Sequence, residues 1–371
     1  MKLKTIHGGF EFAVQQYQFE GISVNYLELT QPEARPDLGR GLQEFCVYYS
    51  NRLSYQEVAA LVERHCGARV LSSQAIWQLV QQHALRLSEA IERNTLVHRS
   101  EAELTITSEI DLYDGNCPEV LLFDDAIGVK AQKPQRSRSP SSDAEPSEHP
   151  KTVSTDVVVL QTAQAQFEYL SAPIAADGTA RLPIEAVVHS RLQQIYDTSK
   201  SPLPLVVVSD GATVIRQRWN RTFGSAVVVI LDWYHLCEKF RQLMSMIASS
   251  KADKATHLKV LLSELWHGRT DVALTYLRSQ VIPRNREKWQ ELITYVEKHQ
   301  HEIVDYERRR QAGKAIGSGR VEKAVDQVIG YRQKRKGRSW RPQGSRALGL
   351  LKVLELNGKW QEFWNAQSAI V

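Results

Sequence analysis

Leu205-Val206-Val207-Val208-Ser209-Asp210-Gly211-Ala212 is an unbroken apolar run that leads through Ser209 into an acid and a glycine. An apolar run with a polar exit reads as a strand buried on both faces. A second run, Ala226-Val227-Val228-Val229-Ile230-Leu231, follows a segment that predicts a helix over 213–222. Strand, helix, strand in that order implies a parallel pair in an α/β sheet. Asp210 then stands where a buried parallel strand opens into a loop, where such sheets place functional groups.

Working outward, Val120-Leu121-Leu122-Phe123 runs into Asp124-Asp125, so Asp125 is also expected to end an apolar strand. Further strands are expected at Thr155 to Leu160 and Phe167 to Leu170. The segment 132–152, rich in Lys, Arg, Ser and Pro without apolar patterning, is expected to be a mobile loop inserted between two strands. From 236 to 311 the apolar spacing is helical, as for an all-α block inserted in an α/β domain, and a last amphipathic helix is expected from Ala347 to Trp364.

At the N-terminus, residues 8–30 alternate apolar and polar (Phe10, Phe12, Val14, then Ile22, Val24, Tyr26) and predict a pair of strands or a hairpin. Ser54 followed by Glu57 forms a capping box ahead of an amphipathic helix, and Ser72-Ser73-Gln74-Ala75-Ile76-Trp77 opens another. Joined through Gly67, the two match a helix-turn-helix with Gln74 and Gln78 free to read DNA. Two neighbouring helices of an ordinary bundle give the same pattern. Residues 82–102 continue helical.

The 371 residues suggest two or three domains, and 42% hydrophobic residues supply real cores. Lys and Arg total 47 against 42 Asp and Glu, a formal charge of +5. Distribution matters more than the sum: Tyr331 to Arg346 holds seven basic residues and no acidic one, the composition of a surface that faces phosphates. Cys46, Cys66, Cys117 and Cys237 form no C-x-x-C pair, so neither a zinc ribbon nor a disulfide framework is indicated. No apolar leader or membrane-length run is present, which points to a cytoplasmic, nucleoid-associated protein.

Near the far end, Gly317-Ser318-Gly319-Arg320-Val321-Glu322 holds an acid at a helix start. Asp125, Asp210 and Glu322 together are the oxygen donors that a two-metal phosphodiester-cutting site needs. A lone carboxylate at a strand end is more often a turn former.

The strand from Leu121 to Lys130, the Val207 to Ala212 segment, the Leu231-Asp232-Trp233-Tyr234-His235 step and the Gly317 to Glu322 helix start resemble the DDE transposases of bacterial insertion sequences, most of all the ISKra-type branch of the Mutator-like group. The resemblance covers residues 119 to about 364. It implies a ribonuclease-H-like core with an all-α insertion, behind an N-terminal helix-turn-helix region. The expected divisions are 1–40, 41–102, 103–235, 236–311 and 312–371. Asp125, Asp210 and Glu322 would hold two Mg²⁺ ions, replaceable by Mn²⁺, with Asp124 the alternative first acid. The family's C/D-x-x-H signature falls on Asp232 and His235, and His235 is expected to orient the scissile phosphate or a metal-bound water. A helix N-cap and a packed histidine would read the same.

Such an enzyme binds double-stranded DNA at transposon ends and target, cuts, and joins the freed 3′-OH, as a homodimer or larger synaptic assembly. Arg320, Arg332, Lys334, Arg335, Lys336, Arg338, Trp340 and Arg341 are expected to hold backbone phosphates or stack on an unpaired base. A non-catalytic DNA-binding descendant, or a nuclease of the same fold that cuts without joining, would carry the same pattern.

Overall fold

The computed structural model describes residues 2–11, 13, 15–19, 21–25, 37–98, 104–133, 150–198 and 201–366. Most of the loop expected at 132–152, and Phe12, Val14 and Tyr26 of the N-terminal strand reading, lie outside them. The alternation at the N-terminus forms two antiparallel hairpins: β1 (Lys2–Thr5) with β2 (Gly8–Glu11), and β3 (Gln16–Phe19) with β4 (Ile22–Asn25).

The protein is a mixed α/β structure around a five-stranded sheet. Its strands are β5 (Val120–Lys130), β6 (Thr152–Gln161), β7 (Phe167–Leu170), β8 (Leu205–Ser209) and β9 (Val228–Leu231), in spatial order β7-β6-β5-β8-β9. β5, β6 and β7 pair antiparallel, whereas β8 is parallel to both β5 and β9. β6 and β7 are joined by a short turn and β5 and β6 by the longer segment 131–151, whereas the parallel partners need helical crossovers. Those are α4 (Ile184–Ile195), between β7 and β8, and α5 (Thr213–Phe223), between β8 and β9.

Alternation along the strands divides the core. Val120, Leu122, Leu205 and Val207 pack with Val188 and Leu192 of α4 and Trp219 of α5, while Leu121, Phe123, Val206 and Val208 pack into a larger cluster on the other face. That second face is covered by α6 (Trp233–Ile247), α11 (Gly319–Val325) and α12 (Pro342–Leu356), whose Leu236, Phe240, Val321 and Leu348 join the cluster. Between α6 and α11 lies the all-helical block α7 (Lys251–Trp266), α8 (Thr270–Ser279), α9 (Arg286–His299) and α10 (Tyr306–Gln311).

Upstream, α1 (Arg40–Ser50), α2 (Tyr55–Cys66) and α3 (Ser73–His98) form a three-helix unit. Ser54 and Glu57 make the expected capping box, and Gly67 ends α2 at φ 72°. α3 unites the second helix of the pair with its continuation and packs on α4 and α12, so this unit is fused to the core.

The single C-terminal helix expected from Ala347 to Trp364 is two helices, α12 and α13 (Trp360–Ala366). Gly358, at φ 70°, stops the first in a left-handed turn and lets Trp360 and Trp364 fold back into the core. No described helix is long and apolar enough to cross a membrane.

Candidate acidic site beside strands β5 and β8

Parallel pairing of β5 and β8 sets Phe123 opposite Val208. Two residues further along each chain come Asp125 and Asp210, at the edge where β8 ends. Gly211, at φ 92°, permits the turn, and the Ala212 N–H donates to Asp210 Oδ1 at 2.8 Å. Asp210 itself is exposed.

Asp125 does not end its strand, as the sequence reading expected. β6 pairs with β5 as far as Lys130 and holds it extended past the acid. The site therefore lies beside the middle of β5, on the face of Phe123. Asp125 is half-buried and accepts the Ala126 N–H at 2.7 Å. Burial raises its carboxyl above the ordinary range, the Ala126 bond and His235 oppose that, and the negative charges of Asp210 and Glu322 add to it. Asp125 thus feels both of the other acids.

Asp124 points to the opposite face by strand alternation. Its Oδ2 accepts from Arg218 Nη1 at 2.9 Å and Trp219 Nε1 at 3.0 Å, and burial, opposed by Arg218, pushes its carboxyl to about 6. As the alternative first acid, Asp124 is corrected: it belongs to an ion-pair network with Arg218 and Asp156 behind the sheet.

Glu322 is brought to the site by Asp232. The Asp232 N–H donates to the Ser209 carbonyl at 2.8 Å, and Trp233 N–H donates to the Ile316 carbonyl at 3.0 Å. Asp232 Oδ1 caps α6 by accepting from the Tyr234 and His235 N–H groups, and Oδ2 takes both the N–H and the hydroxyl of Ser318. One buried side chain so ties the end of β8, the start of α6 and the turn before α11. Gly317 makes the close approach possible, since a Cβ there would lie 2.5 Å from the Tyr234 ring. Four residues past Ser318, Glu322 Oε1 stands 3.2 Å from His235 Nε2.

Asp232, His235 and Glu322 form the one group of described residues whose ligand atoms all lie within 4.8 Å of one another. Asp125 and Asp210 do not close to that spacing, although Asp125 feels the charges of both His235 and Glu322. Neither they nor Glu322 pairs with a Lys or Arg among the described residues. The donor set suits a hard cation: acid oxygens, mutual repulsion that a cation relieves, and a Glu whose three torsions re-aim its carboxylate without backbone movement.

Sequence reading missed the floor beneath Asp210. Glu302, of the segment between α9 and α10, accepts from Arg216 Nη1 at 2.7 Å and pairs with the buried His299, which borders Gly211. Burial, then the negative charges of Asp210, Glu302 and Asp232, raise the nearby Tyr295 hydroxyl. These residues lie inside a helical stretch with no motif around them.

The expected DNA-facing residues divide. Gln74 and Gln78 are exposed on the first turns of α3, and Lys334, Arg335, Lys336 and Arg341 are exposed near the other end of the chain. Arg338 is half-buried and donates to the Arg332 carbonyl at 3.0 Å. Arg332 and Trp340 are corrected. Arg332 is buried, donates to the Ser50 carbonyl at 3.0 Å and lies over the Trp340 ring; Trp340 is buried and donates to the Gln333 carbonyl at 3.1 Å. A π-helical turn at Asp326–Gly330 precedes this segment, and Arg332 and Gln333 beyond it are buried. The Arg320 side chain lies outside the described residues. Known protein families, curated proteins and solved structures offer no match to this chain.

Proposed function

We propose that this chain is a DNA transposase of the DDE type, with a ribonuclease-H-like core, that nicks transposon ends and joins the freed 3′-OH to target DNA. The reading rests on one observation: Asp125, within β5, and Asp210, just past β8, stand on neighbouring parallel strands, and the Asp232 clamp ties the turn before Glu322 to the end of β8. The sheet of three antiparallel and two parallel strands, with an all-helical block before the last acid, supports the same reading.

Asp125, Asp210 and Glu322 would hold the metals. Bound there, two Mg²⁺ ions would supply activation of the attacking hydroxyl and stabilisation of the leaving oxygen. His235, beside Glu322, orients the phosphate or a water. The exposed basic residues from Lys334 to Arg341 supply sequence-independent attraction for the duplex.

The test is a nicking and strand-transfer assay on duplexes taken from the DNA flanking the reading frame. Asp210→Asn is expected to lose cutting and joining by at least 100-fold while retaining end binding. Retained cutting refutes the assignment, and cutting of pre-nicked ends without joining reassigns the chain as a nuclease.

A further inference from the structure

The ladder between β5 and β8 ends at the pair Phe123 and Val208, short of both Asp125 and Asp210. Beyond that pair the two chains part. β5 stays paired with β6 as far as Lys130, while the chain after Ser209 turns through Gly211 into α5. The separation of the acids therefore depends on what holds α5 against β5 once the ladder has ended. Two carboxylates that share a small divalent cation tolerate little error, since Mg²⁺ demands oxygens at about 2.0–2.1 Å in near-octahedral geometry.

Arg218 supplies such a hold from the far face of the sheet. Its Nη1 donates to Asp124 Oδ2 at 2.9 Å, and Nε1 of Trp219, the next residue of α5, donates to the same oxygen at 3.0 Å. Asp124 immediately precedes Asp125, so β5 carries the candidate ligand on one face and its fastening to α5 on the other. The same guanidinium pairs with Asp156 of β6 at 3.1 Å and Glu185 of α4 at 3.5 Å. A rigid fork of five donors serves three carboxylates from three elements at once, whereas a lysine ammonium is a point charge on a flexible stem.

Stability alone is a poor reason for this arrangement. Asp124 is buried, and its Oδ1 has no hydrogen-bond partner among the described residues. Taking an ion pair out of water costs about as much as the attraction returns, and an orphaned buried oxygen adds to that cost. What the pair does supply is geometry, between the strand that carries Asp125 and the helix that follows Asp210.

We propose that Arg218 is a positioning residue for the acidic site: through Asp124 it fastens α5 to β5 behind the sheet, and so sets Asp210 at the distance from Asp125 at which both reach one divalent cation. The proposal rests on the reading of these acids as metal ligands.

Charge and position make opposite predictions for Arg218. Removing a cation held one residue from Asp125 should, by charge alone, draw a metal ion in more tightly; losing the fastening should weaken its binding. The electron paramagnetic resonance signal of free Mn²⁺ is followed as the ion is titrated into the full chain without DNA, well below the denaturation midpoint, so no turnover enters the readout. Arg218→Met is expected to bind Mn²⁺ at least about 10-fold more weakly than the parent. Asp124→Asn, which keeps an oxygen for Arg218 and Trp219, is expected to stay within about threefold of the parent. An Arg218→Met affinity equal to or above the parent's, or a loss in Asp124→Asn as large as in Arg218→Met, overturns the proposal. Should Arg218→Met fail to fold, Arg218→Lys carries the same test with the charge kept and the fork lost: a loss of at least about threefold is expected, and an unchanged affinity overturns it. Asp210→Asn separates the two levels. A parent that binds no more Mn²⁺ than Asp210→Asn sinks the metal reading and the proposal with it, whereas a parent that does, beside an unweakened Arg218→Met, sinks the positioning role alone.

Discussion

Asp232 and Glu322 look alike in the sequence and do opposite work in the fold. Asp232 is fully buried and both its oxygens are taken by N–H and hydroxyl donors, so it has little left to offer a ligand. Asp232→Ala strands those donors and should cost about 3 kcal/mol or more, read as a lower denaturation midpoint, with cutting lost as a consequence. Glu322 is exposed, and among the described residues its side chain pairs with His235 alone. Glu322→Gln should therefore abolish cutting while leaving the denaturation midpoint nearly unchanged. A midpoint lowered as far as by Asp232→Ala would make Glu322 structural. Burial separates the two roles, and burial is what a lone acidic letter does not reveal.

At the scale of elements, the turn before α11 depends on Gly317. Gly317→Ala pushes a methyl group into the Tyr234 ring and should shift Glu322 away from His235, lowering cutting at least 10-fold. Because Tyr234 is largely exposed, Tyr234→Ala in the same chain should restore a substantial part of the activity; no recovery would show that the turn is not set by this contact.

The long α3 carries a pH dependence. His83 is buried against Trp364 with its Nε2 facing Gln43 Oε1 at 3.1 Å, and burial, then Arg86, depresses its pKa to about 3. Below the ordinary value near 6.5 the unfolded chain takes up a proton that the folded one refuses. Stability is then full above pH 6.5 and falls as pH drops toward 3, by at most about 1.4 kcal/mol per pH unit. His83→Gln should flatten that slope in denaturant titrations across this window; an unchanged slope would place the acid sensitivity elsewhere.

Across the whole molecule, strand runs and their order were legible in the sequence because buried parallel strands read as unbroken apolar stretches. The segments carrying Asp125, Asp210 and Glu322 were legible for the same reason: each breaks such a run or opens a helix. What the letters did not carry was direction. Asp124 and Asp125 are neighbours on opposite faces, and Arg332, expected to face phosphates because it lies in a basic run, is buried. Nor could they show that α12, which begins at Pro342, starts beside the same cleft as α2 and α3, which begin at Tyr55 and Ser73. These are properties of packing. That Asp125, Asp210 and Glu322 share metal can be seen by anomalous scattering from a crystal of the full chain soaked in Mn²⁺. Mn²⁺ is expected to be ligated by carboxylate oxygens of all three acids. Manganese bound with neither Asp125 nor Asp210, or none at the sheet edge at saturating metal, would contradict it.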